Sequence, residues 1–416
     1  MRPALLIENA TLVCPGERSG NGSVLVIAGE IAALNPAPDQ VPGSCERFDA
    51  KRGLLTPGLV DIHTHGIHEF SYERDPQELV EGVARLPRYG TTTVLPTFYN
   101  VMRRDMLSKL ERLALALTEV KGVDAPGLHL EGPFLALPGA GAATVPGDLT
   151  LLDELLSAAQ GRVLAMSVSP DTPNILPIIE RLHERRIAIF MTHTCASVAQ
   201  TEAAIAAGAR HATHFYDVFP IPEETETGVR PLGAVEVILT DRRCSVDFIC
   251  DGVHVDPLAI RLALLAKGWR GVVAISDSNI GAGRDDGIYE TPWGYKVRVC
   301  DGDAVRIHDS SHPLNGLLAG SALTMDRALS NLLGWVPASL HEVVAMATCN
   351  PARTVGLRHK GLLEVGADAD LVLWRRLGAG LTALRTWVRG QCVYEQGSSS
   401  TTTVLNKPVH DHVVSI

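Results

Sequence analysis

Short apolar segments alternate with amphipathic segments through the centre of the chain. Eight of them have the continuous apolar character of buried parallel strands: residues 59–63, 92–96, 127–131, 163–168, 188–193, 212–215, 245–250 and 272–277. Between them, apolar residues recur three and four positions apart, which predicts helices at residues 76–89, 105–119, 174–186, 197–207 and 256–267.

This alternation predicts an α/β fold, a closed (β/α)8 barrel of the TIM type. An open, doubly wound parallel sheet is the alternative, because periodicity alone does not show whether a sheet closes. No G-x-G-x-x-G sequence follows the first strand, and this absence favours the barrel.

Both ends of the chain contain short β-rich segments separated by glycine turns, which predicts a small β-sandwich domain formed by both termini. We assign residues 1–56 plus 359–397 to this domain and residues 57–358 to the barrel. Residues 398–416 begin with a Ser/Thr run and are expected to form a mobile tail. His410 and His412 lie in that tail without other ligand-type residues, so we do not assign them a metal.

The composition of the chain argues against several classes of function. The chain has 416 residues, a net charge of −10 and no block of Lys or Arg, so we expect neither nucleic acid nor an anionic membrane as a partner. No apolar stretch approaches the roughly 20 residues of a membrane span, and the N-terminus lacks a signal-peptide pattern. The eight cysteines form no C-x-x-C pair, so a cytoplasmic protein is expected.

Metal-ligand side chains occur at the ends of several predicted strands. Because the carboxyl ends of barrel strands meet at one mouth, residues far apart in sequence converge there. The set comprises His63, His65, Glu131, His193, His214 and Asp277. A single histidine at a strand end is usually a structural hydrogen-bonding group, but ligand-type residues on five strands predict a metal centre.

The residue types indicate which chemistry the site supports. In the H-x-H of His63 and His65, side chains two apart on a strand share one face, so both imidazoles point the same way. Imidazole and carboxylate together suit Zn²⁺, with Fe²⁺ or Mn²⁺ as alternatives. Beside a metal-activated water, the Asp277 carboxylate can act as general base and then acid. Its alternative role is a helix N-cap within Asp-Ser-Asn.

These motifs resemble a known family. The segment Pro-Gly-Leu-Val-Asp-Ile-His-Thr-His-Gly at residues 57–66 is similar to the opening motif of the amidohydrolase superfamily. More narrowly, the chain resembles the N-acetylglucosamine-6-phosphate deacetylase family. The segments that carry this resemblance are residues 130–135, 192–193, 211–215, 251–255, 275–277, 318–325, 350–353 and 361–371.

The resemblance implies removal of an acetyl group from N-acetylglucosamine 6-phosphate or a close N-acetylamino sugar. It implies that Glu131, His193 and His214 are the principal metal ligands and that His63 and His65 hold a second metal. It also implies that Asp277 is the general base and acid and that His254 contacts the substrate near the scissile carbonyl. Arg230 would bind the phosphate, across the interface of a homodimer.

Three departures from the family pattern concern the substrate side. The family's Lys-Lys-Gly-x-His stretch is replaced by Gly-Ala-Gly-Ala-Ala at residues 139–143, and its Asn-Ala pair by Asp217 and Val218. A carboxylate at Asp217 repels a phosphate, where an amide donates a hydrogen bond. Residues 283–311 form a longer, more polar insertion than the family usually has.

Two alternatives to the deacetylase remain open at this point. The first is hydrolysis of a different N-acyl or cyclic amide substrate, phosphorylated or not, at the same metal centre. The second is a binding or scaffold protein that has lost catalysis, which the complete set of ligand-type residues disfavours.

Overall fold

The computed structural model describes residues 4–16, 20–139, 142–378 and 380–397. Within these residues the strands are β1 (Leu5–Leu12), β2 (Gly20–Ile27), β3 (Glu30–Leu34), β4 (Glu46–Asp49), β5 (Leu54–Pro57), β6 (Leu59–Thr64), β7 (Gly66–Ile67), β8 (Phe70–Ser71), β9 (Thr91–Phe98), β10 (Leu128–Glu131), β11 (Val163–Val168), β12 (Ala188–Met191), β13 (His211–Ala212), β14 (Ser245–Ile249), β15 (Val272–Ile275), β16 (Gly287–Glu290), β17 (Lys296–Val299), β18 (Arg306–Ile307), β19 (Leu371–Leu377), β20 (Gly380–Val388) and β21 (Gln391–Glu395). The predicted tail at residues 398–416, with His410 and His412, lies outside the described residues.

The α-helices of the same residues lie mostly between the barrel strands. They are α1 (Pro76–Val83), α2 (Leu107–Ala116), α3 (Leu149–Ala158), α4 (Ile175–Glu184), α5 (Val198–Ala207), α6 (Ala234–Thr240), α7 (Pro257–Lys267), α8 (Met325–Trp335), α9 (Leu340–Ala347) and α10 (Cys349–Thr354). Polar residues begin several of them, because the first backbone N–H groups of a helix need acceptors. The Asp75 carboxylate caps α1, Asp148 caps α3 and Asp256 caps α7. None of the described helices combines the length and apolar character that crossing a membrane requires.

The central sheet is a nearly closed barrel of eight parallel strands, in the order β6-β9-β10-β11-β12-β13-β14-β15. The last strand returns to the first, since the backbone nitrogen of Asp277 donates to the His63 carbonyl oxygen at 2.9 Å. The nitrogen of His65 likewise donates to the Ser278 carbonyl at 2.8 Å. Every residue of β6 is buried, as expected for a strand covered on both faces. The predicted barrel is therefore confirmed, and the open sheet is excluded.

Both termini contribute to a second sheet of eight strands, in the order β21-β20-β19-β5-β1-β2-β3, with β4 beside β1. The two ends of the chain meet where β5 pairs antiparallel with β19. Ile7, Leu55 and Trp387 belong to the apolar core of this sheet. The predicted small β domain formed by both termini is confirmed.

A buried lysine links the barrel to the terminal sheet. The Nζ atom of Lys360 lies 2.7 Å from a carboxylate oxygen of Asp124, 2.9 Å from Asp368 and 2.8 Å from Asp370. Asp124 lies beside the barrel strand β9, whereas Asp368 and Asp370 precede β19. Burial disfavours the charged lysine, but the three carboxylates outweigh it and raise the pKa of Lys360 above its ordinary value.

Barrel strand β14 ends one residue earlier than the apolar pattern predicts, at Ile249, and three other strands end two or three residues earlier. The predictions extend them to residues 193, 215 and 277, but β12 ends at Met191, β13 at Ala212 and β15 at Ile275. The residues His193, His214 and Asp277 have φ values of 48°, 34° and 45°, so the backbone leaves the extended conformation at each of them. Non-glycine residues in this region are strained, and such strain concentrates at functional sites.

The insertion at residues 283–311 forms its own three-stranded antiparallel sheet of β16, β17 and β18. Val297, Val299 and Val305 form a small apolar cluster on it. The carbonyl oxygen of Val305 accepts a hydrogen bond from Ala319, and its nitrogen donates to Gly320. The insertion therefore packs against the segment that follows it instead of extending freely.

Candidate metal centre

Four imidazoles surround two carboxylates at the carboxyl ends of the barrel strands. Nε2 of His214 lies 3.0 Å from Oε1 of Glu131, and Nε2 of His193 lies 3.3 Å from the same atom. Nε2 of His65 lies 3.1 Å from Oδ1 of Asp277 and 3.4 Å from Oε2 of Glu131. The structure therefore brings these five predicted residues together.

His63 completes the cluster and is fully buried. Its Nε2 lies 3.2 Å from Nε2 of His65, 3.6 Å from Oε2 of Glu131 and 3.7 Å from Oδ1 of Asp277. The Nδ1 atoms of His63 and His65 also have hydrogen-bond partners. Nδ1 of His63 is 2.8 Å from the Thr213 hydroxyl, and Nδ1 of His65 donates to the Thr97 carbonyl oxygen at 3.1 Å. Such contacts orient an imidazole so that Nε2 is available as a ligand.

The His193 ring has a different environment. Its Nδ1 atom is buried and has no hydrogen-bond partner among the described residues. Gly139 lies directly against the ring, since a Cβ atom added there would stand 1.9 Å from Cε1 of His193. On this backbone only glycine fits against the imidazole.

The electrostatics of the cluster favour positive charge. Burial disfavours the charged form of His214, yet the hydrogen bond with Glu131 raises its pKa to about 10. Burial likewise disfavours charged His65, but its bond with Asp277 raises the pKa to about 9. Desolvation opposes ionisation of Glu131, but His63, His193 and His214 hold its pKa well below the usual range. The Glu131 carboxylate thus stabilises positive charge on the imidazoles around it.

This donor set fits a divalent metal. The ligand atoms of His63, His65 and Asp277 lie within 4.8 Å of one another, and so do those of His63, Glu131 and His214. Imidazole nitrogen with carboxylate oxygen is the chemistry of zinc, iron and manganese sites. The unpartnered Nδ1 of buried His193 is a further nitrogen for which a metal would provide a partner.

His254 and Asp217 lie beside the cluster. Nδ1 of His254 donates to Oδ2 of Asp251 at 2.6 Å, which fixes the orientation of the ring. Burial lowers the pKa of His254, but the bond with Asp251 and the charges of Asp277 and Asp217 raise it above its usual value. Asp217 also contributes to the raised pKa of His214. The backbone nitrogen of Asp217 donates to the His214 carbonyl oxygen at 3.0 Å, and its half-buried carboxylate acts on both histidines through its charge.

Arg230 is not part of the cluster in this single chain. Its side chain is 74% exposed, and its one ion pair among the described residues is with Glu236 at 3.8 Å. It lies in the exposed segment between β13 and α6, with Ile221, Val229 and Leu232 exposed nearby.

Several supporting residues were not predicted from the sequence. The Asp247 carboxylate accepts from the backbone nitrogen of His214 and lies 2.8 Å from Nε2 of His211. Glu73 accepts hydrogen bonds from the backbone nitrogens of Tyr99, Asn100 and Val101, and the Tyr99 ring packs edge-on against His65. Their sequence signal is weak, because a single acidic residue does not indicate its partner, whether it lies in an apolar strand like Asp247 or in a polar loop like Glu73.

The barrel, the terminal sheet and the imidazole–carboxylate cluster define an amidohydrolase, and the amidohydrolase family model matches residues 54–394. The chain belongs to the amidohydrolase family. It is 30% identical over 387 residues to the N-acetylglucosamine-6-phosphate deacetylase of Bacillus subtilis (strain 168), covering 90% of this chain and 93% of the relative.

Two further similarities agree with this assignment. The N-acetylgalactosamine-6-phosphate deacetylase of Escherichia coli O157:H7 is 30% identical over 372 residues, which cover 87% of this chain and 92% of that protein. The crystal structure of N-acetyl-D-glucosamine-6-phosphate deacetylase from Mycobacterium smegmatis matches with a TM-score of 0.80 at 26% identity, covering 94% and 100% of the two chains.

Proposed function

We propose that this protein removes the acetyl group from an N-acetylamino sugar phosphate, N-acetylglucosamine 6-phosphate or a close analogue. The observation that carries the proposal is the convergence of His63, His65, Glu131, His193, His214 and Asp277 at one end of the barrel. Relatives with this activity cover about nine-tenths of the chain, which supports the same reaction class here.

We propose that Glu131, His193 and His214 hold the principal metal and that His63 and His65 hold a second where that site is filled. Zinc is the metal we propose, with Fe²⁺ and Mn²⁺ as the alternatives that the same donors accept. A bound divalent metal lowers the pKa of water from 15.7 towards about 7 and polarises the amide carbonyl.

Asp277 is the proposed proton carrier. Burial opposes its ionisation, but the charge of His63 and the hydrogen bond with His65 lower its pKa, so its carboxylate is ready to accept a proton. The same carboxyl group then returns the proton to the departing amine. His254, oriented by Asp251, contacts the substrate beside the scissile carbonyl in this proposal.

We assign binding of the substrate's phosphate group to Arg230, which would reach the metal centre of the other subunit in a homodimer. An arginine fork matches phosphate oxygens in two parallel hydrogen bonds, but Arg230 is exposed and contacts no part of its own metal centre. Ile221, Val229 and Leu232 are 68%, 49% and 53% exposed around it, an apolar surface that a second copy would cover. This arrangement would bring the partner's arginine to the site.

Asp217 supports a second candidate, a substrate without phosphate at this position. Its carboxylate lies near His214 and His254, where it repels a phosphate and accepts hydrogen bonds from hydroxyl or amine groups. Hydrolysis of another N-acyl or cyclic amide on the same metal centre is the corresponding reaction.

Steady-state assays on phosphorylated and free N-acetylglucosamine and N-acetylgalactosamine separate the two candidates. The sugar phosphate deacetylase predicts a higher kcat/KM for the phosphorylated sugars than for the free sugars. It also predicts that Arg230→Ala lowers this preference about tenfold or more. Arg261→Ala, at an exposed position, is the control. Equal rates on both sugar forms would select the second candidate. Loss of turnover in Asp277→Asn, with the metal retained, tests the base in either case.

Metal analysis tests whether the protein is an enzyme of this kind at all. The proposal requires about one or two divalent ions per chain, and gain of activity when zinc is added to chelator-treated protein. A metal content well below one, without such a gain, would indicate a binding protein instead.

We further propose a cytoplasmic location, because no disulfide occurs among the described residues. The division into residues 1–56 plus 359–397, 57–358 and a tail at 398–416 is retained as our proposal for the domain limits.

A further inference from the structure

A second cleft lies on the opposite face of the barrel from the metal centre. Its volume is about 960 Å³, and its wall includes Ala188, His211 and Ser245, which are the first residues of β12, β13 and β14. The metal ligands lie at the other ends of the strands. A molecule in this cleft would therefore not occupy the substrate position.

The cleft is strongly basic. Seven arginine and lysine side chains line it, and no aspartate or glutamate is among the lining residues. The whole chain has a net charge of −10, so the clustering of basic side chains in this cleft does not follow from the composition of the chain. The cations come from segments between residues 186 and 353, which is why no basic run is visible in the sequence.

Three of these cations have local structural roles. Nζ of Lys267 donates to the carbonyl oxygens of Asp241 and Cys244, both at 2.9 Å. Arg210 donates to the carbonyl oxygens of Ile205 and Ala209 near the end of α5. Arg243 forms an ion pair with the Asp241 carboxylate. Cations near helix C-termini are ordinary, so these three side chains do not by themselves require a ligand.

The other four arginines are exposed and form no ion pair with the described residues. None of Arg186, Arg242, Arg270 and Arg353 has a carboxylate within 4.0 Å in the part of the chain that the structure describes. Arg270 packs over the Trp269 ring at 4.2 Å, and Arg353 donates to the Asn350 side chain and to the Arg270 carbonyl oxygen. These contacts orient two guanidinium groups without placing a carboxylate in direct contact with either. Like charges gathered in one cleft repel, and a bound anion relieves that repulsion.

We propose that this cleft binds a small organic anion that carries two or more phosphate groups. The planar guanidinium group donates two parallel hydrogen bonds to phosphate oxygens, so several arginines suit a polyphosphate better than a single carboxylate. Leu239 and Val355 also line the cleft and provide apolar surface for the organic part. Its volume is at the upper end of the roughly 300–1,000 Å³ of small-molecule sites. The proposal is independent of the reaction at the metal centre.

Isothermal titration of the full-length, metal-containing protein tests the proposal. Pyrophosphate and adenosine triphosphate are the probes, and sulfate at equal ionic strength controls for non-specific charge. We expect one saturable site per chain for adenosine triphosphate, weaker binding of pyrophosphate and no saturation with sulfate. Absence of saturable binding, or equal binding of sulfate, would overturn the proposal.

Charge reversal locates the site. The double variant Arg186→Glu/Arg242→Glu is expected to weaken binding about tenfold or more, because each arginine contributes charge-assisted hydrogen bonds. Arg261→Glu is the matched control, an exposed arginine on α7 that does not line the cleft. If the double variant does not fold, Arg186→Gln/Arg242→Gln replaces it. Unchanged affinity in a folded double variant would place the probe elsewhere, for example at the metal, and would contradict the assignment.

Discussion

The side chain of Asp247 accepts a hydrogen bond from the backbone nitrogen of His214, at the point where β13 has already ended. Its second carboxylate oxygen lies 2.8 Å from Nε2 of His211. One buried carboxylate therefore fixes the backbone that presents a proposed metal ligand in a left-handed conformation, with φ of 34°. We infer that Asp247 is a positioning residue, since it does not approach the cluster itself.

Asp247→Asn is expected to weaken metal binding and activity about 10- to 100-fold, the usual effect of losing a residue that orients a ligand. The amide oxygen can still accept from the His214 nitrogen, but the NH2 group that replaces the second oxygen cannot accept from Nε2 of His211, so this contact is lost unless the ring takes its other tautomer. Competition with a chromogenic chelator measures the metal affinity, and Asp105→Asn is an exposed control. Loss of activity at full metal affinity would argue against a positioning role.

Gly139→Ala is expected to reduce metal occupancy. The added Cβ atom would stand 1.9 Å from Cε1 of His193, so the ring must move. Metal content by mass spectrometry and kcat should fall together, while the unfolding midpoint changes little. Gly334→Ala is the matched control, because its Cβ atom enters open space within α8. A Gly139→Ala protein with full metal content would show that the His193 ring can move and still bind the metal.

Asp326 provides a pH-dependent effect on stability away from the metal centre. Burial raises its pKa to about 6, against the opposing hydrogen bond from Thr324, so its ionised form is disfavoured in the folded state. The folded protein therefore loses stability as the pH rises from about 4 to about 6, and Asp326→Asn avoids this loss.

The variant is expected to be more stable than the parent by about 1–2 kcal/mol at about pH 7, with a smaller difference at about pH 4. Urea unfolding at both pH values measures this change, and Asp39→Asn should show no such trend. A stability difference that is the same at both pH values would mean that the Asp326 carboxyl group titrates normally.

Lys360→Met is expected to destabilise the protein by about 3–5 kcal/mol, because it leaves the Asp124 and Asp370 carboxylates without their cation, while Asp368 keeps its ion pair with Arg389 at 3.5 Å. Lys121→Met, at an exposed position, should change stability little. Adding Asp124→Asn to Lys360→Met removes one uncompensated charge and should recover part of the loss in urea unfolding. No recovery would indicate that the lysine acts through packing of its methylene groups.

The sequence predicted those parts of the structure that depend on local patterns. The alternation of strands and helices and the position of the ligand-type residues near strand ends were both visible in the sequence, although periodicity alone left the open sheet as an alternative to the barrel. Strand ends at His193, His214 and Asp277 were misplaced, because the left-handed backbone there is imposed by contacts such as that of Asp247.

Features assembled from distant segments could not be predicted. The three carboxylates around Lys360 span residues 124 to 370, and the basic cleft gathers arginines from residues 186 to 353. Single charged residues in sequence give no indication of which others they will meet. The position of Gly139 against His193 is of the same kind, since a glycine-rich stretch predicts only a turn.

The insertion at residues 283–311 is connected to Asp277 through a short series of backbone hydrogen bonds. Its Val305 is hydrogen-bonded to Ala319 and Gly320, and the next residue, Ser321, donates its backbone nitrogen to the Asp277 carbonyl at 3.3 Å. The insertion thus rests on the chain segment that supports the proposed base. A change in its sequence can reach Asp277 through Gly320 and Ser321 while every proposed metal ligand stays the same.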